Sequence, residues 1–198
     1  MKKLIALIAA ALAAPAFAAT TYDIDASHSA TSFAVKHLVI SSVRGQFTKT
    51  TGAIQYDEAN PARSTVEATI DASSIDTRDP KRDEHLKSAD FFDVAKYPTL
   101  SFKSTSVAKA GKDKLEVDGE LTLHGVTRPV KLAVTTTPSV KGMYGETRRG
   151  FSATTTIHRK DFGLTWNKTV EAGPVVGDDV TITLDVEGVE KKPETASK

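Results

Sequence analysis

From residue 20 onward, hydrophobic and polar side chains alternate with a period of two, the spacing that sends neighbours to opposite faces of a β-strand. The clearest run is Leu115, Val117, Gly119, Leu121 and Leu123, interleaved with Glu116, Asp118, Glu120 and Thr122. One face is apolar and the other polar. The same alternation appears at Phe33-Val35, Val66-Ala68-Ile70, Val130-Leu132-Val134, Phe151-Ala153-Thr155-Ile157 and Val180-Ile182-Leu184-Val186, and further strands are expected from Val43 to Phe47, Ala53 to Tyr56 and Leu100 to Val107. Gly52, Asn60-Pro61, Gly111, His124-Gly125, Gly163 and Gly173-Pro174 punctuate these runs as turns. Leu115 to Val134 reads as an antiparallel hairpin turning at His124-Gly125-Val126-Thr127, and Asp178-Asp179 reads as a loop entering the last strand.

Eight or nine short strands at this spacing predict an all-β sandwich or barrel. Closure into an antiparallel barrel of about eight strands is expected, because it removes edges that would otherwise invite pairing between chains. One segment departs from the alternation: Asp79 can cap a helix, Pro80 suits its first position, and Leu86, Ala89 and Phe92 lie near helical spacing, predicting a short helix near residues 80–89. The polar tail from Glu190 to Lys198 is expected to be loose. A barrel of eight strands is just wide enough to be filled by side chains or to hold one small ligand. Ala68, Gly119, Ala153 and Thr155 are small inward positions that leave room, but larger facing residues filling that room as an ordinary core is an equal reading.

The first residues bear on compartment. Lys2 and Lys3 precede an apolar run from Leu4 to Leu12, and Ala16-Phe17-Ala18 has the A-x-A form of a cleavage site. Residues 1–18 are expected to be an export signal removed after Ala18, since Pro15, Thr20 and Thr21 cut the stretch below the roughly 20 apolar residues of a membrane span. The mature chain of residues 19–198 would then be soluble and periplasmic, with no integral membrane segment. Two of the 26 Lys and Arg lie in the signal, so 24 remain against 25 Asp and Glu, and the mature net charge is −1. Such a balance, with the basic residues scattered, gives no footprint for nucleic acid. The absence of cysteine removes both a disulfide framework and a lipidated N-terminus, leaving residues 19–189 as one domain held by its own core.

The motifs of catalysis are missing. His28, His37, His85, His124 and His158 form no H-x-x-x-H or H-E-x-x-H pair, so no metal ligand set and no cofactor is expected. There is no G-x-S-x-G and no thiol nucleophile. For contact with a ligand the candidates are the inward apolar residues Phe33, Val35, Phe47, Val66, Ile70, Phe91, Phe92, Phe102, Leu121, Leu123, Phe151 and Ile157, together with Trp166, each equally explained as core. Arg44 and His85, with Lys87 and Arg159, are candidates for a polar headgroup at the mouth. A mouth rimmed by Phe91-Phe92 would expose apolar surface that a homodimer covers.

A set of short motifs runs in order along the whole mature chain: Tyr22-Asp23-Ile24-Asp25, His28-Ser29, Phe33-Ala34-Val35-Lys36-His37, Val43-Arg44-Gly45-Gln46-Phe47, Ser74-Ile75-Asp76-Thr77, His85-Leu86-Lys87-Ser88, Asp90-Phe91-Phe92-Asp93, Tyr97-Pro98, Phe102-Lys103-Ser104-Thr105, Gly119 to Thr127, Arg159 to Leu164 and Val176 to Val180. In their joint order and spacing they resemble the YceI-like family of exported polyisoprenoid-binding proteins. That resemblance implies a lipocalin-like antiparallel barrel with an elongated hydrophobic tunnel for a long isoprenoid or similar amphiphile, often in a dimer. The function it implies is periplasmic binding, carriage or storage of an isoprenoid, quinone-like or fatty lipid, with a link to stress response. The rival reading is a lipid-free structural or inhibitory module that acts through a protein partner. A third, an enzyme acting on the bound lipid, would draw on His37 or His85.

Overall fold

The computed structural model describes residues 19–171 and 173–192. Its strands are β1 (Thr20–Ile24), β2 (Ala30–His37), β3 (Ser41–Phe47), β4 (Thr50–Tyr56), β5 (Thr65–Asp71), β6 (Ile75–Asp76), β7 (Thr99–Gly111), β8 (Lys114–Leu123), β9 (Val126–Thr136), β10 (Val140–Lys141), β11 (Thr147–His158), β12 (Thr169–Val170), β13 (Gly173–Pro174) and β14 (Val176–Glu190), with one helix, α1 (Pro80–Lys87). β11, β9, β8, β7, β5, β4, β1 and β14 pair in that order, each antiparallel to its neighbours, and the pairing of β11 with β14 closes the ring. The fold is a closed antiparallel barrel of eight strands.

β14 carries two partners on one edge: Tyr22 of β1 faces Glu190 near its end, and Phe33 of β2 faces Ile182 further back. β2, β3 and β6 therefore extend the wall beyond the ring at the end where β14 begins. Between β1 and β2 the chain breaks at Asp25. The Asp25 carboxylate accepts hydrogen bonds from the Ser27 hydroxyl and backbone N–H and from Arg148, and lies 2.9 Å from the His28 ring nitrogen. The Ser27 hydroxyl, then His28 and Arg148, hold its carboxyl well below the usual carboxylate range.

The hairpin of β8 and β9 pairs Leu115 with Val134 and Leu123 with Val126. Its loop is shorter than the alternation implied: only His124 and Gly125 turn, at φ 51° and 72°, while Val126 and Thr127 belong to β9. Two positive φ values in a two-residue loop match the strand twist, and Gly125 takes its value without strain. Asp178 and Asp179, expected in a loop, lie within β14, where a register shift between Val176 and Val180 against β2 marks a bulge that accommodates them. α1 ends at Lys87, two residues earlier than expected, because Ser88 is already extended. Asp79 caps it as expected, accepting from Lys81 N–H and Arg82 N–H.

Gly119 corrects the sequence reading. It leaves no room inside, because a Cβ there would sit 2.7 Å from the Lys103 carbonyl oxygen and against the Phe102 ring. Gly119→Ala is expected to destabilise the barrel by about 1–3 kcal/mol, the usual cost of overpacking, read as a lower denaturant midpoint with an unchanged slope. The expected export signal, residues 1–18, and residues 193–198 of the tail lie outside the described residues. Lys191, just past β14, is held by its N–H donating to the Thr21 carbonyl.

Candidate functional site: the barrel cavity

Two apolar clusters line the interior of the barrel. One gathers Tyr22, Ile54, Tyr56, Val107, Leu115, Val117, Leu132, Val134 and Phe151. The other gathers Phe47, Ala72, Ile75, Leu100, Leu121, Leu123, Ile157, Phe162 and Leu164. Between and through them runs a cavity of about 620 Å³. The choice between filled core and hollow is decided by the middle of the wall: Phe33, Val35, Ile182 and Leu184 face inward along their strands yet are only half-buried, because a void stands in front of them.

All thirteen apolar residues singled out from the sequence line this cavity, from Phe33 to Trp166. Ala68, Ala153 and Thr155 line it too. Along β14 the lining runs from Val176 to Val186, about 33 Å of strand at ~3.3 Å per residue. That length is comparable to the ~30 Å hydrocarbon core of a bilayer.

The two ends differ. At the far end Tyr22 and Tyr56 each pack edge-on against Phe151, with ring centroids 5.9 and 5.7 Å away. Arg149 stacks its guanidinium over Tyr56 and donates to Glu58. Burial pushes both tyrosine hydroxyls up, while the Arg149 charge pulls them back down. The near end holds the partly exposed lining residues His37, Ser41, Arg82, His85, Trp166 and Val175, and this is where the cavity opens. Here α1 contributes Arg82, His85 and Leu86. His85, Phe91 and Trp166 stack mutually at 4.9 to 5.1 Å, and Phe92 packs edge-on against Phe47. The aromatic pair Phe91-Phe92 therefore supports the mouth from inside, with Phe91 buried and Phe92 half-buried.

The polar candidates separate. His85 lines the mouth, its Nε2 2.8 Å from Asp90. Arg44 does not: Val43 faces the cavity, so the period of two places Arg44 on the outer face of β3. It is no part of the cavity mouth. Lys87 is outside the lining and donates to Glu84. Arg159 lines the cavity but is only 3% exposed, donating to the carbonyls of Leu164, Trp166, Val176 and Gly177. Burial lowers its pKa, and its charge is stabilised by carbonyl dipoles. Arg82 was missed by the sequence reading, and no pattern marks it. It donates to the hydroxyl and carbonyl of buried Thr77.

Among the described residues lining the cavity there is no aspartate or glutamate. Asp25, His28 and Glu187 have ligand atoms within 4.8 Å of one another, but the Arg148 guanidinium bonds both carboxylates and supplies the cluster's positive charge.

A closed antiparallel barrel around a long apolar cavity open at one end defines the class: a lipocalin-like barrel by architecture. The YceI-like domain profile matches residues 22–188, and the chain belongs to the YceI-like family. It is 42% identical over 176 residues to the protein YceI of Escherichia coli O157:H7, covering 88% of this chain and 89% of that one. The crystal structure of BcnA from Burkholderia cenocepacia superposes with a TM-score of 0.74 at 26% identity, covering 83% and 98% of the two chains. A polyisoprenoid binding domain from Saccharophagus degradans shares the fold, with a TM-score of 0.62 at 18% identity over 87% and 99% of the two chains.

Proposed function

We propose that the protein binds a long-chain isoprenoid or similar amphiphilic lipid, quinone-like or fatty, in its barrel, and carries or stores it in the periplasm. The observation that carries this reading is the hollow itself: an apolar cavity of about 620 Å³ without a carboxylate in its wall. A hollow of this size is a standing loss of packing for an empty protein, and an apolar chain removes it. At ~0.8 kcal/mol per buried methylene, one five-carbon unit gains about 4 kcal/mol on leaving water. The polyisoprenoid ligand named for the S. degradans domain of the same fold is consistent with this, and the N-terminal sequence supports export. The reading is binding rather than turnover: the lining is mostly apolar, and among the described residues neither the His37 nor the His85 ring is hydrogen-bonded to a lining hydroxyl.

Titration with isoprenoid alcohols of increasing length tests it. At about 0.3 kcal/mol of realised affinity per heavy atom, each added five-carbon unit is expected to tighten binding by about tenfold until the cavity is filled. Affinity that does not change with chain length would contradict the reading.

A further inference from the structure

The turn between β2 and β3 is built against local preference. Leu38 and Val39 sit at φ 51° and 61°, in the left-handed region, where tight hairpins favour Asn and Gly and where a β-branched residue is an outlier. The other non-glycine residues with positive φ among those described are Arg78, Asp93, Asp113 and His124, all polar. The turn puts apolar side chains into water: Val39 is 66% exposed and Ile40 80%. A strained backbone that survives in order to display apolar groups points to a function for the display.

The position of this tip is also specific. His37 and Ser41, which flank it, both line the mouth of the cavity. The Leu38 N–H donates to the carbonyl of Val175, another mouth residue. The second exposed apolar turn, at Met143 and Tyr144, follows β10, and β11 behind it pairs Arg148 with Val189 at the opposite end of β14.

Charge completes the picture. Between Asp25 and Asp57 the chain has no acidic residue, although it holds 25 elsewhere. The acid-free stretch is the β2–β3 hairpin and its extension, and Lys36 and Arg44 stand exposed on its stem. Lys49 pairs with Asp71, whereas Lys36 and Arg44 join no ion pair among the described residues. Of the acids on the adjoining segment, Asp178 and Asp179 are engaged by Lys160 and His158, and Glu171 is exposed.

We infer that the β2–β3 hairpin docks the cavity mouth on an anionic lipid bilayer, with Val39 and Ile40 entering the interface and Lys36 and Arg44 meeting the headgroups. Apolar side chains projecting beside unpaired cations are the combination that binds anionic interfaces. Docking at the mouth lets an isoprenoid pass between bilayer and cavity without crossing water. The inference rests on the proposed lipid binding and assigns that function its membrane partner.

Co-flotation of the purified protein with vesicles tests it. Phosphatidylcholine vesicles containing phosphatidylglycerol are expected to carry the protein, and pure phosphatidylcholine vesicles far less. The binding should fall as salt shortens the Debye length from about 10 Å at 0.1 M to about 3 Å at 1 M. The double variant Leu38→Asn, Val39→Gly relieves the turn, so it should melt at a higher temperature yet bind vesicles at least about tenfold more weakly. Arg44→Glu, on the outer face of β3 and clear of the cavity, should weaken the preference for anionic vesicles. In both variants, uptake of a fluorescent isoprenoid from vesicles should slow while its affinity in solution stays unchanged. Equal flotation on neutral and anionic vesicles overturns the inference. So does a turn variant that floats normally, or one that converts a dimer to a monomer without affecting flotation, which would assign the tip to a second copy of the chain. Failure to bind isoprenoid in solution would instead count against the proposed function.

Discussion

Replacing Ala153 by tryptophan is expected to weaken binding of a long isoprenoid by about a hundredfold while leaving the barrel folded. Ala153 stands opposite Val134 and Leu184, both of which also line the cavity. An indole projecting from this level fills space that a ligand chain must cross to reach Tyr56 and Phe151. A hundredfold loss is about 2.8 kcal/mol at 1.4 kcal/mol per tenfold, equivalent at ~0.3 kcal/mol per heavy atom to losing contact with about nine atoms. Overpacking normally costs about 1–3 kcal/mol, but here the added volume enters a void, so the melting temperature should hold or rise. Unchanged affinity would mean that the ligand stops short of Ala153. A folded barrel that loses stability sharply would mean that this level is already filled.

Arg159→Ala is expected to be the most damaging single change near the mouth, lowering stability by about 3–5 kcal/mol, the range for removing one side of a buried charged network. The guanidinium gathers carbonyls from Leu164 and Trp166 on one segment and Val176 and Gly177 on another, so truncation leaves several acceptors without a donor where water has little access. At about 2–4 °C per kcal/mol for a domain of this size, the melting temperature should drop by roughly 6–20 °C. Arg159→Lys should recover only part of this, because a single ammonium cannot reproduce the planar fork. Thermal unfolding followed by circular dichroism checks both variants. Near-native stability of Arg159→Ala would show that the loop is held without it.

The strands that position the cavity were legible because their two faces meet different media. β8 and β11 alternate strictly, and Leu121, Leu123, Phe151 and Ile157 could be placed inward by counting alone. Counting could not say whether inward meant packed or hollow: a residue facing a void and one facing a neighbour have the same sequence pattern, and Gly119 and Ala153 show the two outcomes. Gly119 lies under the Phe102 ring, whereas Ala153 opens onto the cavity. Charged residues misled in both directions. Arg159, a candidate for a headgroup at the mouth, is a buried clasp, because its partners are backbone carbonyls that carry no sequence signature. Arg44 looked like a mouth contact and points outward, which the position of Val43 beside it already implied. Turn chemistry was legible at His124-Gly125, where glycine marks the positive φ, and hidden at Leu38-Val39, where residues unsuited to that backbone occupy it.

The claim that the hollow is a lipid site is tested most directly by native mass spectrometry of the protein purified without detergent from its own cell envelope. The predicted result is a noncovalent adduct that organic extraction releases as a long-chain isoprenoid or related amphiphile, and that the Ala153→Trp variant lacks. A protein that comes out at its bare mass and takes up no such chain when offered one would contradict the account.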